Sequence, residues 1–183
     1  AKKICSIRGL LVNLEISTNS KIIKTALKIK PNYVCIVPEN RREVTTEGGL
    51  NLKRNKHKLK NIIAKLKKNK IRTSLFINPS KHDINTSFEL GTDCIEIHTG
   101  ELANLVKNKK DYSNEIKKIK ICSKLAKNLG LEVHAGHGLD YKTTHLLTKI
   151  KDIKEFNIGH FIIGESVFYG LKNIIKNFKK ICK

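Results

Sequence analysis

The chain has 183 residues, 39% hydrophobic and 5% aromatic, with no Trp and no Met. That is enough for one sizeable core, built on Ile and Leu. The formal net charge of +21, from 37 basic and 16 acidic residues, is spread over helices as in Lys65, Lys67, Lys68, Lys117, Lys118, Lys120, Lys179 and Lys180, with no basic tail, zinc-finger spacing or aromatic-studded basic strand; it argues against a dedicated nucleic-acid binder and leaves a field that attracts phosphorylated metabolites.

Short apolar runs alternate with longer amphipathic stretches. Leu10–Ile16 reads as a strand and Asn19–Ile29 as a helix. Tyr33–Val37 is a strand stopped by Pro38, and a polar loop runs on to Gly48 and Gly49. Asn55–Asn69 carries Leu59, Ile62, Ile63 and Leu66 at helical spacing. Arg72–Ile77 is a strand ended by Asn78-Pro79, and Lys81–Leu90 a helix closed by Gly91. Cys94–His98 is a strand, Asp111–Leu129 a helix, Leu131–Ala135 a strand and Tyr141–Lys149 a helix. Phe156–Ile163, interrupted by Gly159-His160, reads as the last strand, and Ser166–Cys182 as the last helix.

Six βα units in strict alternation specify a parallel sheet covered by helices in one α/β domain spanning 1–183. A doubly wound open sheet and a barrel both fit. The cysteines are five, Cys5, Cys35, Cys94, Cys122 and Cys182, with no C-x-x-C. An odd number without paired spacing weighs against a disulfide framework or a zinc site and favours a reduced, cytoplasmic protein. No apolar run reaches membrane-spanning length, and Ala1–Ser6 is not followed by a secretory apolar stretch.

In either architecture chemistry gathers at the C-terminal ends of the strands. Those ends supply Glu15, the charged loop Glu39–Gly49, Asn78-Pro79, Glu96 to Gly100, Gly136-His137-Gly138 and Gly159-His160. Glu15 on an apolar strand is costly to bury unless paired or functional; otherwise it marks a strand end open to solvent. His137 between glycines could exchange protons near neutral pH, or be a loop histidine without a role. His98 and His160 read more readily as structural histidines. Gly138 and Gly159 permit turns, but with histidines at consecutive strand ends they favour a phosphate cradle. The Glu39–Gly49 loop is either a lid or a solvated connection.

These segments resemble pyridoxine 5′-phosphate synthase. The resemblance rests on VNLE at Val12–Glu15, KPNYVCIVPENRREVTTEGGL at Lys30–Leu50 and SLFINP at Ser74–Pro79. It continues through IEIHTGELA at Ile95–Ala103, LGLEVHAGHGLDY at Leu129–Tyr141 and NIGHFIIGESVFYGLK at Asn157–Lys172. The strings TTEGGL, AGHGL and NIGH are specific and fall in family order.

The resemblance implies the eight-stranded TIM-barrel fold, here as six βα units matching strands three to eight. It implies condensation of 1-deoxy-D-xylulose 5-phosphate with 3-amino-2-oxopropyl phosphate to pyridoxine 5′-phosphate, phosphate and water. It implies small phosphorylated substrates, a homo-oligomer, no metal or organic cofactor, and neither membrane nor specific nucleic-acid partners. Glu15 matches the catalytic glutamate that shuttles protons, and His137 the histidine that donates one. Thr45, Gly138, Gly159 and His160 match substrate-binding positions.

Two departures stand out. His134 occupies a position where the family usually has Asn, and a titratable ring there is expected to perturb His137. The family's two opening βα units, with an N-x-D-H motif and H-L-R-E-D-R-R-H, have no counterpart in these residues, so the domain is expected to be N-terminally incomplete and to have little or no synthase activity alone. Another phosphate-binding barrel enzyme, a basic nucleic-acid binder and a non-catalytic remnant are the competing readings.

Overall fold

A computed structural model describes residues 1–39 and 48–183. Six strands form one parallel sheet, each βα unit laying its strand beside the previous one. They are β1 (Asn13–Ile16), β2 (Tyr33–Ile36), β3 (Arg72–Ile77), β4 (Cys94–His98), β5 (Glu132–Gly136) and β6 (Ile153–Asn157). The spatial order β1 to β6 follows the chain without reversal. A doubly wound sheet reverses its order at a switch point, so this order selects the barrel: a curled sheet of a TIM-barrel fold.

Nine helices are described: α1 (Lys2–Cys5), α2 (Ser20–Ile29), α3 (Leu52–Lys68), α4 (Lys81–Glu89), α5 (Gly100–Lys107), α6 (Ser113–Asn128), α7 (Tyr141–Leu147), α8 (His160–Tyr169) and α9 (Leu171–Ile181). Caps start several of them. Asn19, Asn51, Ser80 and Asp140 each accept a hydrogen bond from a backbone N–H of the first turn. Asp140 and Thr143 bond reciprocally as a capping box.

Side chains alternate along each strand, and the alternation sorts two interiors. Val34, Ile36, Leu75, Ile77, Ile95, Ile97, Val133 and Ala135 pack outward against buried helix residues such as Leu59, Ile63, Leu66, Ile84, Leu102 and Ile119. The intervening positions, including Cys35, Ser74, Phe76, Cys94, Glu96 and His134, turn inward and are also buried. The apolar core is therefore the layer between sheet and helices, while the barrel interior is polar. β1 and β6 do not pair with each other. Across the gap Asn13 Nδ2 donates to Glu155 Oε1 at 3.1 Å, so side chains link the two edges.

Strands β3 and β4 have the bounds expected from sequence, and most other elements agree within a few residues. The C-terminal expectation is corrected. The last strand is Ile153–Asn157, and Gly159 starts a helix rather than interrupting a strand. Gly170, at φ +76°, then breaks what read as one helix into α8 and α9. The run Phe156, Ile158, Phe161, Ile162, Ile163 satisfies strand and buried-helix periodicity alike, so its pattern could not decide. α5 was not anticipated; its two buried residues, Leu102 and Val106, give a single turn of apolar spacing.

Candidate active site

The strand ends open into a cavity of ≈ 1330 Å³ lined by Glu15, Phe76, Glu96, His137, Gly138 and the segment from Phe156 to Glu165. Four of the expected residues besides Glu15 thus face one space: His137, Gly138, Gly159 and His160. Thr45 and most of the Glu39–Gly49 loop lie outside the described residues.

Glu15 is exposed on β1, its carboxylate open to the cavity. Glu96 is its buried counterpart, only 3% exposed on β4. Its Oε2 accepts from Asn157 Nδ2 at 2.7 Å and from Cys35 Sγ at 3.4 Å. Burial pushes its pKa up to about 7; the Asn157 bond opposes this and the Glu15 charge adds to it. Two carboxyl groups therefore share the cavity in different environments, one solvated and one poised to hold a proton near neutrality. Glu96 was only a neighbour in the sequence. An acid alternating with Cys94 and His98 on a strand was the available signal, but which face turned inward was not legible.

His137 sits in the β5–α7 turn at φ +82°, followed by Gly138 at φ +73°. Two successive left-handed residues reverse the chain sharply, a conformation that a non-glycine residue adopts only under constraint. Thr99 supplies that constraint: its hydroxyl donates to both Gly136 O and His137 O at 2.7 Å, and its N–H to Gly136 O at 2.9 Å. The His137 ring stands 4.9 Å from His98 and 6.4 Å from Phe76, centroid to centroid. Burial, and then the charge of His160, hold its pKa below the ordinary histidine value. His134 is not among these causes. It points into the barrel below the turn, bonded to Glu132, so the expected perturbation of His137 has another source.

Close packing leaves no room for larger residues at the turn. A Cβ at Gly136 would collide with Glu96 Oε1, and one at Gly138 would come within 2.8 Å of Ala103 Cβ. Gly159 N-caps α8 without a side-chain cap, so first-turn N–H groups face the cavity rim beside His160. The position of α8 is set by an aromatic trio: Phe161 lies 4.9 Å from Tyr141 and 5.9 Å from Phe178, which in turn stacks 4.7 Å from Tyr141. The ten-residue helix thus starts beside the cavity, with the positive end of its dipole there.

The model of the family "Pyridoxal phosphate biosynthesis protein PdxJ" matches residues 1–183. The chain belongs to the PdxJ family. A pyridoxine 5′-phosphate synthase from Pelagibacter ubique is 61% identical over 179 residues, 98% of this chain and 75% of that protein. Those from Campylobacter fetus and Aliarcobacter butzleri are 44% and 46% identical, with this whole chain matched to 79% and 78% of their lengths. Among solved structures, the citrate synthase SbnG superposes with a TM-score of 0.54 at 11% identity over 93% of this chain and 72% of that one. A xylose isomerase domain protein from Planctomyces limnophilus gives 0.52 at 12% over 91% and 71%. At that identity the likeness is of fold alone.

Proposed function

We propose that this chain is a pyridoxine 5′-phosphate synthase, condensing 1-deoxy-D-xylulose 5-phosphate with 3-amino-2-oxopropyl phosphate to pyridoxine 5′-phosphate, phosphate and water. The observation that carries the reading is one cavity shared by Glu15, Glu96, His137 and the α8 N-terminus, in a chain that matches its family from end to end.

Carbonyl condensation, dehydration and ring closure require repeated proton transfers between held groups. Glu15, exposed at the cavity, takes and returns protons at the substrate's carbons. His137, on the wall, serves the leaving oxygen once protonated. Glu96 holds a proton of its own opposite Glu15 and stabilises developing charge. Gly138 N–H, the α8 N-terminus at Gly159 and the His160 ring hold a phosphate. Thr45, which matches a substrate-binding position of the family, contacts substrate. No metal or organic cofactor enters this scheme. We further read residues 1–183 as one domain, cytoplasmic and homo-oligomeric; the exposed Val167, Phe168, Tyr169 and Leu171 support an oligomer. Among the described residues no helix is long and apolar enough to cross a membrane.

The test is product formation from the two phosphorylated substrates. Turnover is expected, and it should fall about 100-fold or more in Glu15→Gln or His137→Asn. No product would sink the activity; product undiminished by both substitutions would sink the residue roles.

A further inference from the structure

Below the cavity, at the N-terminal half of the strands, the barrel interior holds a second polar cluster that the proposed reaction does not use. One donor atom from each of Cys94, Glu132 and His134 lies within 4.8 Å of the other two. Cys94 and His134 are fully buried, on neighbouring strands β4 and β5. His134 Nε2 meets Glu132 Oε1 at 2.9 Å. Its Nδ1 is sealed from solvent without a hydrogen bond, 3.5 Å from Glu155 Oε1. A buried ring nitrogen left in this way is unfavourable unless something engages the ring.

We propose that Cys94, Glu132 and His134 bind one zinc ion that ties β4 to β5 inside the barrel. Thiolate, imidazole and carboxylate together are a zinc set; calcium and magnesium take oxygen ligands alone. Each ring nitrogen of His134 faces a carboxylate, Glu132 from Nε2 and Glu155 from Nδ1. With Nε2 on the ion beside Glu132, Nδ1–H is left facing Glu155, an acid that orients it as metal-bound imidazoles generally are oriented. The charges balance. Once the ion has displaced the Cys94 proton, Glu132, Glu155 and the Cys94 sulfur offset the nearby Arg72, whose guanidinium lies 3.2 Å from Glu132 Oε2, and leave two negative charges for a divalent cation. On binding, the Cys94 S–H bond gives way to a sulfur–zinc bond and the proton passes to solvent. The Glu132 and Glu155 side chains are 34% and 40% exposed, which leaves the ion a way in. Metal–ligand bonds of about 2.0–2.3 Å require only that the three side chains close inward on the ion.

The full chain, stripped with a chelator, is titrated with Co²⁺ and then Zn²⁺. Expected are saturation at one equivalent, thiolate-to-cobalt charge-transfer absorption, and its loss on adding one equivalent of Zn²⁺. Cys94→Ser should abolish the band, while Cys5→Ser and Cys182→Ser keep it. Glu132→Gln, at a partly exposed position, should weaken binding at least about tenfold and keeps the test decisive if Cys94→Ser does not fold. Absence of a thiolate band in the chain as it stands, survival of the band in Cys94→Ser, or unchanged affinity in Glu132→Gln would each overturn the proposal.

Discussion

Glu96 and His137 face the same cavity with opposite electrostatic problems. Burial makes the charged form of each unfavourable, which raises the acid and lowers the base. For Glu96 the consequence is a measurable pH dependence. A carboxyl that binds its proton more tightly folded than unfolded favours folding fully below its ordinary 4.5, and this contribution fades as pH rises through about 7. The difference is on the order of 3 kcal/mol, at 1.36 kcal/mol per unit. Glu96→Gln should therefore flatten the loss of stability between acidic and neutral pH, read as the difference in Tm across that range. Equal slopes in the two proteins would contradict the assignment.

For His137 the prediction is a proton NMR titration of the ring with its midpoint below the ordinary histidine value. Burial is the larger cause and His160 the smaller. His160→Ala should raise the midpoint without restoring it fully. A midpoint unchanged by that substitution would remove His160 from the site's electrostatics.

The turn and the helices around it are the unit that makes this wall of the cavity. Asp140 caps α7 and holds the exit of the His137–Gly138 turn, while Thr99 holds its entrance. Asp140→Ala should destabilise the fold by about 1 kcal/mol, as lost caps do. It should also weaken phosphate binding, measured by calorimetry, because the left-handed turn loses one of its two anchors. Strands β3 and β4 were legible residue for residue because turn residues mark them in the sequence: Asn78-Pro79 after β3, then Gly91 before and Thr99-Gly100 after β4. α8 was not. Its residues are apolar all round and none is buried, so no polar face marks a helix and no alternation marks a strand. Gly159 and His160, read from the sequence as interrupting a strand, line the cavity from the start of a helix.

Across the whole molecule the charge of +21 surrounds a cavity whose own acids are Glu15, Glu96 and Glu165. Lysines on the helices create the long-range field, and the cavity glutamates work against it locally. Affinity for either phosphorylated substrate should fall as salt rises from about 10 mM to 150 mM, where the screening length shrinks from roughly 30 Å to 8 Å. Salt-independent binding, measured by calorimetry, would confine recognition to the short-range contacts at Gly138, Gly159 and His160.

Alternation of apolar and amphipathic stretches determined a parallel α/β sheet, because periods of two and of 3.6 cannot be satisfied by one element type. Polar strand ends determined which residues to watch, and Glu15, His137, Gly138, Gly159 and His160 do line one cavity. What only the tertiary structure decided is which side of each strand turns inward. That choice follows from how helices cover the outer face, not from any single strand. It buried Glu96 beneath Glu15 and Asn157, and it brought Cys94, Glu132 and His134 together across two strands although no paired-cysteine spacing announced them. Residues distant along the chain become neighbours through strand register, which is a property of the assembled sheet and not of local sequence.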